Sequence, residues 1–498
     1  MNQCPLIHSG IRLGRSLLVL VAVAGRVSLA AADGPVTLKD ESKPGELRQA
    51  AIAFDVGGEL LLVTDDKEIK LPMKVKALIK YQECLVAPGT DGITRAARNY
   101  EVTDVKINVD NRPITPLLRE DRRLLSVSLG KELAIFSTDG PMTREELDLV
   151  SLPADSLVVS GLLPKEPVRP GDTWSPSDAT LATLLDLDVV GQSQVKAMLL
   201  EVENGRAKIE LSGTVNGAVG GVSSEIDMKA RCYYGMASRR LEDVELIYKE
   251  KRGVSHSSPG VDVTAKLRIQ LAPIKTCKAL APEVVDNLSL VAAPENQALE
   301  YTSSARKFQL VHDRLWYVAR EDASSTILRR VERGELIAQC NVTTLSSLQK
   351  DRRTTLPKFQ EDIKKSLGDS FGDFVTATED QDKEGRLIYR VSATGEVSEL
   401  PVEWIYYLVQ DAEGRRTSVV FTLQQSLAER FAGADRALVA SLSMLSPSSE
   451  SPTKPTPDTA AAVRTDEAKL PVPPPDKSVT VPTTPRVTSK DSAEKMSR

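Results

Sequence analysis

Apolar and polar residues alternate with a period of two over long stretches of the chain. Val75, Ala77 and Ile79 against Lys74, Lys76 and Lys80 show it most clearly, the pattern of a strand wet on one face. On this pattern residues 51–63, 69–84, 98–109, 124–129 and 133–136 are predicted strands. So are 189–203, 206–215, 225–232, 239–251 and 261–271, an antiparallel meander with Asn204-Gly205 as a tight hairpin turn. Two short helices interrupt the series. Thr143 and Glu146 form a capping box ahead of Leu147, Leu149 and Val150. Ser175-Pro176-Ser177-Asp178 starts the second helix, whose apolar face is Leu181, Leu184 and Leu185. Between them Pro164–Trp174 (P-K-E-P-V-R-P-G-D-T-W) withholds backbone donors at three prolines and splits the strand-rich region in two. Gly213–Gly221 lacks the lysine and following helix of a phosphate loop and is predicted to be a flexible hairpin tip.

Residues 273–298 are proline-punctuated and form a predicted connector. Beyond them the periodicity is mixed. Phe308–Leu310, Leu315–Val318, Ile327–Val331, Leu336–Thr344, Leu387–Val391, Val402–Val409 and Thr417–Leu423 are predicted strands. Phe359, Ile363 and Leu367 recur at helical spacing, with Pro357 in the first turn and Gly368 as the stop, and Leu427–Ser441 is a second helix. After Ser446 the composition turns proline-rich, with no aromatic residue, and cannot bury enough apolar surface to fold. The domains are therefore 1–32 (signal peptide), 33–50 (leader), 51–272 (β-rich), 273–298 (connector), 299–445 (a second folded domain) and 446–498 (disordered tail).

Targeting sets the compartment. Arg12 and Arg15 precede an apolar run from Leu17 to Ala24, and small residues follow at Ser28, Ala30, Ala31 and Ala32, which predicts an exported protein cleaved after Ala30 or Ala32. The run is too short to span a bilayer unaided, so no stable transmembrane anchor is expected after cleavage. Cleavage leaves Cys84, Cys232, Cys277 and Cys340. Cys232 and Cys277, in one domain, are the candidate disulfide. Net charge is −5, which gives no global basic field, so nucleic acid is not expected as a partner. Three His in 498 residues and no C-x-x-C leave a zinc site few ligands. No G-x-S-x-G elbow is present, and His312-Asp313 are merely adjacent. Asp110, Glu120 and Asp121 stand with Arg112, Arg119 and Arg122 in a charged stretch predicted to be solvated surface. No catalytic, cofactor or metal residues are assigned, and the chain is expected not to be an enzyme.

Two resemblances sharpen the fold. The order F-Q-L-V-H-D-R-L-W-Y-V, L-I-A-Q-C-N-V, helix, G-R-L-I-Y-R-V, V-E-W-I-Y-Y-L-V, S-V-V-F-T-L, helix over residues 300–445 is similar to the PsbP and Mog-type α/β/α sandwich. That resemblance implies a non-enzymatic binding or assembly module. The β-rich domain resembles, in layout, the open half-barrels of LolA-type lipoprotein carriers, and P-V-R-P-G-D-T-W resembles a signature of secreted bacterial domains of undefined function. The expected fold class is thus α+β: an antiparallel β-rich domain (open half-barrel or curved sheet with short helices), then an α/β/α sandwich, then the tail. The leading functional expectation is an exported interaction or assembly protein of a bacterial envelope, with Trp316, Trp404 and Tyr406 as candidate partner-binding rim. The alternative is a carrier or sensor of an apolar ligand such as a lipid, with Val75, Ala77, Ile79, Ile209 and Leu211 as its candidate ligand face. A sheet filled by its own helices would remove that alternative.

Overall fold

The computed structural model describes residues 34–445, apart from 65–66, 87–90, 306 and 351. The signal-peptide and tail readings, over 1–32 and 446–498, lie outside the described residues. The structure is mostly antiparallel β with a few short helices.

Thirteen strands form one sheet. The first six are β1 (Leu47–Thr64), β2 (Lys67–Val86), β3 (Thr94–Val109), β4 (Arg112–Ile114), β5 (Leu124–Leu129) and β6 (Leu133–Phe136). A crossing segment follows, carrying α1 (Arg144–Val150), a 3-10 turn at Val159–Leu162, β7 (Thr173–Trp174) and α2 (Asp178–Leu184). The sheet resumes with β8 (Val189–Ser193), β9 (Lys196–Glu203), β10 (Arg206–Val219), β11 (Val222–Gly235), β12 (Arg240–Arg252) and β13 (Gly260–Pro273). Its order is β6-β5-β3-β2-β1-β13-β12-β11-β10-β9-β7, with β4 on β3 and β8 on β10. β1 and β13 pair along fourteen residues, so the two halves of the meander close into one surface across the crossing segment.

The alternation in sequence is literal in the structure. Ala50, Ile52, Ile79, Ile209, Met228, Leu246 and Leu267 point to one buried face, while Lys76, Lys229 and Lys266 point to water. The capping box forms as expected: Thr143 Oγ1 accepts from Glu146 N, and Glu146 Oε2 accepts from Thr143 N at 2.9 Å. Three local expectations are corrected. Gly213–Gly217 is strand, and only Gly220–Gly221 turn. A Cβ at Gly213 would stand 2.5 Å from Gln194 O, and one at Gly217 2.6 Å from Val189 O, so these glycines let β10 change partner from β9 to β8 at close approach. The connector is not loose. With its short helix α3 (Pro282–Val285), it packs Cys277, Leu280 and Val285 on Cys84 and Ala97 at the outer base of β2 and β3. The leader is packed too: Leu38 is buried in the main core, and Val36 bridges Val168 of the proline stretch.

The remainder builds a three-stranded and a seven-stranded sheet. In chain order the elements are β14 (Leu299–Thr302), β15 (Phe308–His312), β16 (Trp316–Glu321), β17 (Ser325–Glu332), β18 (Glu335–Leu345), α4 (Leu356–Leu367), β19 (Phe371–Gln381), β20 (Leu387–Val397), β21 (Leu400–Gln410) and β22 (Arg416–Gln424). The chain then runs through α5 (Ala428–Phe431), α6 (Ala434–Ser441) and β23 (Ser443–Met444). The larger sheet runs β16-β17-β18-β22-β21-β20-β19. Alternation along β21 feeds two cores at once: Tyr407 and Val409 meet Phe431 and Leu438, while Trp404, Tyr406 and Leu408 meet Phe359 and Ile363. With a helix on each face, β21 is buried almost throughout, which is why it reads as a nearly continuous apolar run. The final helix is two, because Gly433 takes φ +83° between α5 and α6. β19 went unpredicted: its side chains are largely exposed, so it carries almost no alternation.

Candidate functional site

The inner face of the large sheet is where an apolar ligand would have to sit. Ile79 and Ile209 are each 1% exposed, Leu211 is 2% exposed, Ala77 is buried and Val75 is partly buried. All five pack in one core with Val158, Val159, Leu162, Leu181, Leu184 and Leu185 from the crossing segment. α2 and the 3-10 turn fill the concavity. The candidate ligand face is therefore core, covered by the chain's own crossing segment.

That closure is clamped by charge. Arg48 on β1, Glu83 on β2 and Arg98 on β3 stand directly opposite one another in register, so three neighbouring strands put cation, anion and cation in one inward row. The crossing segment supplies the fourth charge. Arg98 Nη1 and Nη2 donate to the two oxygens of Asp155 at 2.6 Å each, and Arg98 Nε donates to Glu83 Oε2 at 2.6 Å. Arg48 Nε donates to Glu83 Oε1 at 2.5 Å, and its Nη2 donates to the Ser156 carbonyl. Ser156 Oγ donates to Glu83 Oε2 at 2.9 Å and accepts from Tyr81 at 2.9 Å. The Arg98 guanidinium lies 4.6 Å from the Tyr81 ring centroid. Arg98 and Glu83 are both 0% exposed. Burial would raise the Glu83 carboxyl, but Arg48 and Arg98 with their hydrogen bonds overcome it and hold the pKa at about 2. Burial pushes Tyr100 beside them up to about 12. Sealed from water and neutral as a set, the network can hold the segment on the sheet but can reach no substrate. Sequence reasoning missed it because each charge is separated from its partners by fifteen residues or more. The available signal was polar side chains at inward positions of otherwise alternating strands.

The rim expectation is corrected as well. Trp316, Trp404 and Tyr406 are 2%, 4% and 1% exposed, because helices cover both faces of their sheet. The candidate disulfide is absent. Cys232 is free in the main core, while Cys277 is free in the connector cluster, its Sγ 2.7 Å from Gln82 Oε1. Burial pushes the Cys232 thiol up to about 12. The charged stretch near Arg119 is not simply solvated surface. Arg119 Nη2 meets Glu146 Oε2 at 2.6 Å, and Nη1 meets Glu300 of β14. Arg314 Nε donates to Gln297 O, and Arg144 Nη2 donates to Arg314 O at 2.6 Å. A parallel bridge from Met142 to Leu299 completes this join between the large sheet's crossing segment and the second unit. Nearby, burial and then the neighbouring Glu145 and Asp186 outweigh Arg144 and lift the Asp148 carboxyl to about 6.

Beyond the part of β2 and β3 that the connector covers, the outer face of the large sheet is open. A hollow of about 410 Å³ opens on it where β2, β1, β13 and β12 lie side by side, bordered by Ala53, Asp55, Lys76, Ile247, Lys266 and Arg268. Among the described residues there is no cluster of three or more His, Cys, Asp or Glu able to hold a metal, and no helix long and apolar enough to cross a membrane. His312 is buried, with Nδ1 against the Asp313 carbonyl at 2.7 Å.

No protein-family model and no curated protein matches the chain. Among solved structures it is similar to a cyanobacterial PsbP from Synechocystis, at 11% identity over 34% of this chain and 98% of that one, with a TM-score of 0.25. It is similar to a Bacteroides thetaiotaomicron protein at 9% identity over 30% of this chain, with a TM-score of 0.23; the match spans about half of that protein's length, 49%. The translocator domain of the autotransporter NalP from Neisseria meningitidis aligns over 78% of this chain and 90% of its own, at 9% identity and a TM-score of 0.10. Scores this low assign the chain to no fold family.

Proposed function

We propose that this chain is an exported, non-enzymatic interaction or assembly protein of a bacterial envelope, acting through its surfaces and not through an enclosed site. One observation carries the reading: the inner face of the large sheet is filled by the crossing segment and clamped by Arg98 and Asp155, while the opposite face stays open where β2, β1, β13 and β12 lie side by side around Lys76, Ile247 and Lys266. A carrier needs the reverse arrangement, an inner face left free for its cargo. We read residues 299–445, with helices on both faces of an antiparallel sheet, as a PsbP-type module that is joined firmly to the large sheet through Arg119 and Arg144.

Two measurements on the full chain test this. Native mass spectrometry of protein purified from its own cells should give the mass of the polypeptide alone, and a stoichiometric lipid retained on it would overturn the reading. A photo-crosslinking residue at Ile247 on the outer face should join the chain to a partner molecule in cells, protein or lipid, whereas one at Leu181 beneath the sheet should give only internal crosslinks.

A further inference from the structure

Most outward charges on the large sheet are neutralised by their neighbours. Arg231 meets Glu210 at 2.9 Å, and Arg268 meets Asp243 at 2.6 Å. One row differs. From β11 to β3, register sets Lys229 beside Ile247, Ile247 beside Lys266, Lys266 beside Asp55, Asp55 beside Lys76, and Lys76 beside Lys106. With strands ~4.8 Å apart the row is about 24 Å long. Its single acid barely offsets it: Lys76 reaches Asp55 only at 4.0 Å, with both side chains mostly in water. Lys106 meets Asp104 at 3.5 Å, again in water, and Lys229 and Lys266 form no ion pair among the described residues. Lys76 and Lys106 are neighbours, while Lys229, Lys266 and Lys76 follow at two-strand steps of about 10 Å, near the screening length of about 8 Å at physiological salt, so an extended anionic surface that touches all four at once gains from each of them. A chain of net charge −5 thus carries a basic stripe on its one broad open face.

Two features distinguish the kind of anion. Ile247, within the row, is 48% exposed, and Leu78, beside it on β2, is 39% exposed. The cations of the row are all lysine, compact charges on flexible stems without the fixed fork by which arginine grips a particular carboxylate. Exposed aliphatic side chains among mobile ammonium groups suit a surface of lipid phosphates with acyl chains just beneath, and suit an acidic protein less well. We infer that the Lys229–Lys106 row on the outer face of the large sheet docks the protein on an anionic phospholipid surface. This rests on the reading of the open face as the interaction face and supplies its partner.

The test is sedimentation of the full chain with vesicles of phosphatidylcholine alone or with about one third phosphatidylglycerol. The expected result is binding to the anionic vesicles only, lost at high salt. Changing Lys76→Gln and Lys266→Gln together should weaken it roughly thirtyfold, since each lysine near such a surface contributes about fivefold. Lys383→Gln with Lys350→Gln, which removes the same charge from the other unit, should leave binding unchanged. Lys76 and Lys266 are both exposed, so the circular dichroism and melting of their double variant should match the parent. No binding to anionic vesicles, or equal loss with Lys383→Gln and Lys350→Gln, overturns the inference. Retention on heparin without vesicle binding also overturns it and leaves a soluble polyanion. If vesicles fail while Ile247 still crosslinks to a discrete protein, the interaction-face reading stands and only the lipid partner falls.

Discussion

Glu83→Gln is the sharpest probe of how this fold is held. The glutamate sits between Arg48 and Arg98, accepts from both and from Ser156, and is wholly enclosed. Its pKa of about 2, against an ordinary value near 4.5, corresponds to about 3 kcal/mol of stabilisation at neutral pH. An independent expectation agrees: removing one charge from a buried pair costs about 3–5 kcal/mol, because the partner cation is left uncompensated. Glutamine keeps the shape, leaves Arg98 with Asp155 alone and Arg48 with only the Ser156 carbonyl, and should lower the urea-unfolding free energy at pH 7 by about 3 kcal/mol. The sign with pH follows from a depressed carboxyl. Its contribution is present above about pH 4.5 and is lost as pH falls toward 2, so the gap between parent and variant should narrow to about 1 kcal/mol at pH 3. Unfolding would be followed by circular dichroism and by the fluorescence of Trp174, whose indole N–H donates to Leu162 O at 2.9 Å within the crossing segment. A variant within 0.5 kcal/mol of the parent at pH 7, or a gap that stays constant from pH 7 to 3, would refute the clamp.

Asp148 should behave in the opposite sense. Its raised carboxyl, near 6, is a cost that builds as pH rises from the unfolded value of 3.8 and is complete above about 6, so Asp148→Asn should be more stable than the parent at pH 7.5 by about 1 kcal/mol, discounted for solvent exposure, and equal to it at about pH 3 in the same urea titration. Gly213→Val places a Cβ 2.5 Å from Gln194 O and 2.7 Å from Val195 Cα at φ +150°, and a loss of about 3 kcal/mol or more in thermal unfolding is expected; a neutral variant would show that β9 and β8 can yield. Cys84, Cys232, Cys277 and Cys340 are all buried free thiols, with burial pushing Cys340 well above the usual range. Iodoacetamide should leave all four unmodified in the native protein and label them in urea, and a Cys232–Cys277 peptide in a non-reducing digest would count against this arrangement.

Much of the architecture was readable from residue order, because its determinants are local. A period of two with lysine on one face needs no distant information to specify a strand with one wet side, and Thr143 with Glu146 carries its own capping box. Lys74, Lys76 and Lys80 likewise announced the open face. Local signal failed where pairing is remote. β19 has no buried face, so nothing in its pattern distinguished it from a loop; its place at the sheet edge comes from β20 beside it. The glycines at 213 and 217 look like turn residues until the backbones of Gln194 and Val189 lie against them.

The functional question turned on tertiary structure altogether. Ile79, Ile209 and Leu211 have the same alternation whether they line a void or a core, since periodicity records which face is apolar and not what lies against it. Only the docking of residues 137–187, and the approach of Asp155 to an arginine 57 positions earlier, decided that this face is closed. The same holds for the lysine row: Lys76, Lys106, Lys229 and Lys266 lie on four strands far apart in sequence and become one stripe only when register aligns them. Sequence by itself determined strand, helix and face, because those depend on near neighbours. The tertiary fold decided which face is filled, which charges meet and which surface is left for a partner, because those depend on contacts between residues far apart along the chain.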